Sequence, residues 1–178
     1  MIRLTIACLA LLTSTGCSRF DVGAVQDPAA RFADLATFAW MPSDLALPGD
    51  QRLQDRGMER IVRDGVERGM ATQGYAPGTA NDADILVTYR LVQAGRDAAG
   101  APRGFAFDGT GTWMRSSWST DSYQQGALVV DLFDAKAKRL VWRGMASARL
   151  LPHKSYEWKI ERARQAIDAI MDGAPPRR

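Results

Sequence analysis

The stretch that decides the fold runs Gly126-Ala127-Leu128-Val129-Val130-Asp131-Leu132-Phe133, then Asp134-Ala135-Lys136-Ala137-Lys138, then Arg139-Leu140-Val141-Trp142-Arg143-Gly144-Met145-Ala146. Two segments rich in β-forming residues flank a short polar loop, and this pattern predicts an antiparallel hairpin. Asp134 is expected to begin the turn, because aspartate side chains accept hydrogen bonds from nearby backbone amides. Asp131 is expected to face solvent on the polar side of its strand.

Three further strands are predicted upstream of this hairpin. Residues 84–93 contain a run of β-formers that is apolar on both faces near its start, which indicates a central strand. Shorter strands are predicted at 20–25, ended by Asp27-Pro28, and at 35–40, closed by Pro42. Repeated glycines interrupt residues 94–122, so we expect hairpins or a partly mobile excursion there.

Two amphipathic helices are predicted, the first from an N-cap at Asp50 to about Gln73 and the second from about Ser155 to Asp172. Gly173 and Pro175-Pro176 end the second helix. The apolar arc of the first contains Leu53, Met58, Ile61, Val62, Val66 and Met70, and that of the second contains Tyr156, Ile160, Ala163, Ile167, Ile170 and Met171.

Glycines mark the apolar arc and the end of the first helix. Gly65 and Gly69 each cost about 1 kcal/mol relative to alanine, and their expected role is to let the helix backbone approach a sheet closely. Gly74 is expected to cap the helix, with Tyr75 closing over its last turn. The element order predicts an α+β fold, namely a largely antiparallel sheet with two amphipathic helices packed on one face.

The N-terminus has the layout of an export signal. A basic start at Arg3 precedes nine mostly apolar residues, which are too few to span a bilayer, and Ser14-Thr15-Gly16 then precedes Cys17. The segment resembles the bacterial lipobox, in which a small residue precedes a cysteine that receives acyl chains; Ser14 stands where that motif usually has leucine. The resemblance implies that residues 1–16 are cleaved and that Cys17 is lipidated, for example with palmitate.

The resemblance also implies an address. Ser18, rather than aspartate, follows the cysteine, which in Gram-negative lipoproteins implies release to the outer membrane, with the domain facing the periplasm. We therefore expect a signal peptide at 1–16, a lipidated N-terminus and tether at 17–19, and a single domain at 20–176. Cys8 leaves with the signal, so no second cysteine remains for a disulfide or a thiolate metal site.

Charge and motif content argue against several function classes. The formal net charge is +3, with 23 basic and 20 acidic residues interspersed, so no basic stripe predicts nucleic-acid binding. His153 is the single histidine and is expected in an exposed loop, so neither a metal site nor a Ser-His-Asp triad is predicted. Gly109-Thr110-Gly111-Thr112 lacks a following lysine and is interpreted as a hairpin turn. The sequence predicts a non-enzymatic protein without a cofactor.

Aromatic residues supply the candidate contact sites. Five of them lie in the glycine-rich segment 103–123, and Trp158 points away from the apolar stripe of the last helix. Aromatic faces bind glycans, lipids or proteins, but they also cap sheets and pack beneath loops, and the sequence leaves both interpretations open. The candidates are Phe105, Phe107, Trp113, Trp118, Tyr123 and Trp158.

The same segments resemble the lipoprotein family catalogued as domain of unknown function 4136. The hairpin is the most specific part of the likeness, which covers nearly all of residues 20–176. Further matching pieces are Asp27-Pro28-x-Ala30-x-Phe32, Thr37-Phe38-Ala39-Trp40, Gly74-Tyr75 and Ala83-Asp84-Ile85-Leu86-Val87-Thr88-Tyr89. The resemblance implies an envelope lipoprotein with an α+β domain, and it supplies no catalytic residues because the family has no assigned activity.

Two functions remain as hypotheses. The first is an envelope lipoprotein whose non-catalytic domain binds another component of the cell envelope, protein or otherwise. The second is a lipoprotein that binds a small ligand or a glycan through the aromatic segment 103–123. A deep pocket lined by residues 105–123 favours the second, whereas a flat exposed aromatic patch favours the first.

Overall fold

The computed structural model describes residues 20–42, 55–94, 105–107, 113–115 and 125–178. The predicted signal peptide 1–16, Cys17 and the tether 17–19 lie outside the described residues. Within the described part of the chain, no helix is long and apolar enough to cross a membrane.

The main structural element is a six-stranded sheet with the spatial order β1-β8-β7-β4-β2-β3. A separate antiparallel pair is formed by β5 and β6. The strands are β1 (Asp21–Gln26), β2 (Thr37–Trp40), β3 (Ala76–Pro77), β4 (Ile85–Ala94), β5 (Phe105–Phe107), β6 (Trp113–Arg115), β7 (Gln125–Asp134) and β8 (Arg139–Arg149). A short 3₁₀ helix spans Phe32–Asp34.

The sheet is largely antiparallel, as predicted. Strand β1 pairs with β8, β8 with β7 and β7 with β4 in antiparallel fashion, while β2 runs parallel to both β4 and β3. The predicted central strand is confirmed, because β4 lies between β7 and β2. The chain therefore has a mixed sheet within an α+β fold.

The predicted hairpin is confirmed, because β7 and β8 pair antiparallel from Gln125–Arg149 to Asp134–Arg139. Asp134 begins its turn as expected: its Oδ1 accepts hydrogen bonds from the amides of Lys136 and Ala137 at 2.9 and 2.8 Å. Lys138 completes the turn with φ of 52°. The register shifts after the Leu132–Trp142 pair, which indicates a β-bulge beside the turn.

Helix α1 (Arg56–Thr72) begins later than the sequence predicted. Its N-cap is Asp55, whose Oδ1 accepts hydrogen bonds from the amides of Gly57 and Met58, so the expectation of a cap at Asp50 is wrong. Both aspartates suit a cap by residue type. Asp55 is the aspartate that directly precedes the first turn of the helix.

The end of α1 matches the prediction. Gly74 adopts φ of 93°, and the amides of Gly74 and Tyr75 donate to the carbonyls of Ala71 and Met70 at 3.0 Å each. This pair of hydrogen bonds is a Schellman motif, which satisfies carbonyls that the helix itself leaves unpaired. Tyr75 is buried and its hydroxyl donates to the Pro175 carbonyl at 2.8 Å, which ties the end of α1 to the C-terminal segment.

Helix α2 (Tyr156–Asp172) begins at the predicted cap, because the Ser155 side chain accepts from the Trp158 amide. Tyr156 departs from the predicted apolar stripe: it is exposed, and its hydroxyl donates to Asp55 at 3.1 Å. Residues of both helices pack against one face of the sheet and form a single hydrophobic core with it. Its members include Val62, Val66 and Met70 of α1, Ala166, Ile167 and Ile170 of α2, and Ile85, Val87, Leu128, Val130, Leu132 and Trp142 of the sheet.

The helix glycines allow an approach to α2 rather than to the sheet, which corrects the expected role of Gly65 and Gly69. A Cβ built on Gly65 would lie 2.6 Å from Ile167 Cγ2, and one built on Gly69 would lie 2.5 Å from Met171 Cβ. Real Cβ atoms do not approach other atoms so closely. The two helices are therefore in contact along a seam that a larger residue at either position would force apart.

The opposite face of the sheet holds a buried ion cluster. Asp131 is 1% exposed, so the expectation that it faces solvent is wrong. Its carboxylate accepts from Arg143 on the directly paired position of β8, with Nη2 to Oδ2 at 2.8 Å, and Arg90 Nη2 lies 3.5 Å from Oδ2. Charged groups on this face are thus stabilised by one another rather than by water.

Candidate functional site

An open apolar pocket of about 460 Å³ lies between the sheet, the segment after β8 and the first half of α2. Its volume is within the range of roughly 300–1,000 Å³ that is typical of small-molecule sites. Its lining is Phe20, Met58, Val62, Leu91, Gly126, Leu128, Ala146, Ala148, Arg149, Leu150, Leu151, Pro152, Trp158, Lys159, Arg162, Ala163 and Ala166.

The floor of the pocket is a row of apolar residues across three strands. Leu91, Leu128 and Ala146 are paired in register on β4, β7 and β8, on the face that the helices cover. The next row contains Gly126 and Ala148. The alanines at 146 and 148 leave a space that larger side chains would fill, which is why the core is open at this end of the sheet.

The walls come from both helices and from the segment that joins β8 to α2. Ala163 and Ala166 line the α2 side, and again their small size preserves the space. Leu150 covers Gly126, since a Cβ on that glycine would lie 2.5 Å from Leu150 Cδ2. The Pro152 carbonyl accepts a hydrogen bond from Lys159 Nζ at 3.1 Å, which fixes the position of this ammonium group.

Aromatic and cationic groups meet at the rim of the pocket. The Arg162 guanidinium lies 3.6 Å from the ring centroid of Phe20 and 5.8 Å from that of Trp158. Lys154 Nζ also lies 5.8 Å from the Trp158 ring. These cation–π contacts fix the rings while leaving Trp158 half-buried and accessible from the pocket.

The charged side chains among the described lining residues of the pocket are all basic. Arg149, Lys159 and Arg162 belong to its lining, and none of the described lining residues is acidic. Charges beside apolar surface act more strongly than charges in open water, because the local dielectric constant is lower. The arrangement is therefore suited to a ligand that combines an apolar body with a negative group.

The structure describes some of the contact residues predicted from the sequence and leaves others outside the described residues. Trp158 lines the pocket, and its role as a contact residue stays a prediction. Phe105 and Phe107 lie in β5 and Trp113 lies in β6, of which only the backbone pairing is described. Trp118 and Tyr123 lie outside the described residues, as do residues 109–112 of the predicted turn.

Sequence reasoning missed several residues of the pocket. Phe20 was assigned only to a strand, and Arg149 and Leu150 lie just beyond the predicted hairpin. A usable signal was present in Leu150-Leu151-Pro152, an apolar run that follows a strand and precedes a helix without belonging to either. Arg162 carried no such signal, because arginine on a helix surface is ordinary.

The carboxylates and the histidine outside the pocket have other roles. Asp84 Oδ2 accepts from the amides of Ala36 and Thr37 at 2.9 and 3.2 Å. The Ala36 amide chiefly, aided by Lys136, holds the pKa of Asp84 down at about 2. His153 lies exposed in a turn, as predicted. Within the described residues, no group of three or more histidine, cysteine or acidic side chains is placed to hold a metal ion.

The fold defines the chain as a member of a structural class, that of small α+β domains in which two helices cover one face of a largely antiparallel sheet. Within this class, the chain belongs to the family called domain of unknown function DUF4136, whose family model matches residues 22–176. No curated protein matches the chain.

Two solved structures support the fold assignment. A DUF4136 family protein from Bacteroides thetaiotaomicron superposes with a TM-score of 0.54 at 15% identity, covering 83% of this chain and 93% of that one. A PDZ domain protein from Parabacteroides distasonis gives a TM-score of 0.54 at 16% identity, covering 86% of this chain but 35% of the longer protein. A PelC dodecamer from Paraburkholderia phytofirmans matches more distantly, at 8% identity with a TM-score of 0.48 over 89% of this chain and 99% of that one.

Proposed function

We propose that this protein is a lipid-anchored envelope lipoprotein whose domain is not catalytic and binds another component of the cell envelope in the pocket beside α2. The anchor is Cys17, and the location is the outer membrane with the domain facing the periplasm. The observation that carries the binding role is the open apolar pocket of about 460 Å³ with cations at its rim.

The pocket favours a small ligand over a flat protein interface. Small molecules bind in concave sites lined mainly by apolar and aromatic side chains, with a few charged groups that orient them. Leucines, alanines and Trp158 supply the apolar part here, and Arg149 and Lys159 supply the charges. The alternative is a glycan or small-ligand site on the aromatic segment 103–123, for which Phe105, Phe107 and Trp113 in β5 and β6 are the starting point.

The position of Phe20 supports a link between the anchor and the pocket. Phe20 lines the pocket and is three positions after Cys17. Three residues of extended chain span at most about 11 Å. A lipid on Cys17 would therefore keep the pocket close to the membrane surface, where apolar envelope components are available.

The anchor is tested by replacing the two cysteines separately. In Cys17→Ala, we expect the protein to leave the membrane fraction and to lose incorporation of labelled palmitate, because its only acyl attachment site is gone. Cys8→Ala is the matched control, since it removes the chain's other cysteine and should keep both the label and the membrane association. Retention of Cys17→Ala in the outer-membrane fraction would contradict the proposal.

A further inference from the structure

We infer that the ligand of this pocket is a fatty acid, bound with its single acyl chain along the apolar floor and its carboxylate at the cationic rim. The inference deepens the proposed function and rests on it for the place where the protein meets its ligand. Two features of the site carry it, the shape of the apolar space and the basic residues among its described lining.

The shape of the site favours one acyl chain. The floor is the continuous row Leu91, Leu128 and Ala146, with a second row at Gly126 and Ala148, and none of these presents a polar side-chain atom. A glycan would leave its hydroxyl groups unpaired against such a surface, which disfavours it. At about 460 Å³, the space is near the lower end of the roughly 300–1,000 Å³ range and suits one chain better than the two of a phospholipid.

The charge of the rim favours an anion. Arg149 ends β8 and Lys159 lies on α2, so each of these two elements contributes a basic residue to the lining of the pocket. Arg162 adds a third positive charge and is held over Phe20 at 3.6 Å. Guanidinium and ammonium groups form charge-assisted hydrogen bonds with carboxylates, which are stronger than neutral ones.

The aromatic residues at the rim fit the junction between chain and headgroup. Trp158 is half-buried at the pocket, with Arg162 and Lys154 each 5.8 Å from its ring centre. Tryptophan has an apolar body and one polar N–H, so it is favoured where an apolar region meets a wet, charged one. A fatty acid placed as proposed has this boundary at its first methylene groups.

The test is photolabelling of the full-length chain in nanodiscs of phosphatidylcholine. A sixteen-carbon fatty acid with a diazirine in its chain is the probe, and mass spectrometry locates the attachment. We expect labelling of residues that line the pocket, competed by unlabelled hexadecanoate but not by its methyl ester, which lacks the charge. Shortening the competitor by two methylene groups should weaken competition about tenfold. Labelling elsewhere, or equal competition by the ester, would overturn the inference.

Two pairs of variants separate the apolar and charged contributions. Ala163→Phe fills the pocket and should lose at least nine-tenths of the labelling, whereas Gln165→Phe adds the same ring on an exposed position of α2 and should keep it. If Ala163→Phe lowers the melting temperature strongly, the charge pair still decides. Arg149→Gln with Lys159→Gln should weaken hexadecanoate competition about tenfold or more, whereas Lys138→Gln with Arg178→Gln removes equal charge far from the rim and should leave it unchanged.

The two proposals fail in different experiments. Membrane fractionation of Cys17→Ala tests the lipid anchor, and this experiment does not involve the pocket. The labelling pattern of the unaltered chain tests fatty-acid binding, and this experiment does not depend on where the protein resides in the cell. Charge-pair variants that bind hexadecanoate as well as the unaltered chain would overturn the inference even if the anchor were established.

Discussion

Replacing Gly65 by alanine is expected to destabilise the protein, even though alanine is the better helix former. The gain in helix propensity is about 1 kcal/mol. Against it, the new Cβ would lie 2.6 Å from Ile167 Cγ2 and 3.3 Å from Ile167 Cβ, and inserting a methyl group into a packed core costs roughly 1–3 kcal/mol. We expect a net loss of about 1 kcal/mol in the free energy of unfolding, which lowers the melting temperature by about 2–4 °C in a chain of this size.

The effect of Gly65→Ala on the free energy of unfolding should change sign when the Ile167 side chain is shortened. Ile167→Ala removes the Cγ2 and Cδ1 atoms and by itself costs about 2–5 kcal/mol, because a cavity is left in the core. In that background the alanine at 65 no longer overlaps Cγ2, so its helix propensity is realised and it should stabilise by up to about 1 kcal/mol. Ile167→Val is the control: it keeps Cγ2, and Gly65→Ala should remain destabilising beside it.

Equilibrium urea unfolding of the variants, followed by tryptophan fluorescence, measures these free energies. The expected coupling between positions 65 and 167 is about 2 kcal/mol, within the range found for residues in contact. If Gly65→Ala proves neutral or stabilising in the unaltered chain, close contact between α1 and α2 does not depend on this glycine. An additive pair would contradict the proposed overlap with Ile167.

Two further predictions concern carboxylates. The pKa of Asp84 is about 2 in the folded protein and about 3.9 when unfolded, so its stabilisation is complete above the unfolded value and is lost as the pH falls through about 2. Between pH 5 and pH 2 this amounts to about 2 kcal/mol, and urea titrations of Asp84→Asn should show a correspondingly smaller pH dependence. Asp131→Asn leaves Arg143 buried beside a neutral group and should lower the free energy of unfolding by about 3 kcal/mol. Asp168→Asn, at a carboxylate that is 65% exposed, should change it by less than about 0.5 kcal/mol; equal losses from both would refute a special role for the buried pair.

Local patterns predicted the elements well, because the hairpin, the central strand and the α2 cap depend on neighbours in sequence. The Schellman motif at Gly74 is one example: a glycine after an amphipathic run suffices to predict it. Asp131 was misjudged because a polar residue in a strand is ordinarily on the wet face. The hairpin register places Arg143 directly opposite it, and that charge pair was a signal that the sequence already contained.

The pocket could not be predicted from local patterns, because residues of different strands and helices form it together. Ala146 and Ala148 lie on β8 and Ala163 and Ala166 lie on α2, yet the four border one open space, and no local pattern specifies that geometry. Gly65 and Gly69 illustrate the same limit. Their small size predicted a close approach correctly, but the partner is α2, about a hundred residues later in the chain, rather than the sheet.

The pairing of β1 with β8 has a consequence for how the chain acquires its fold. Asp21 and Ser147 are adjacent in the sheet but 126 positions apart in sequence. Long-range pairing of this kind slows folding. Strand β1 is thus expected to join the sheet late, and until it does, the edge of β8 that it covers is open to other chains.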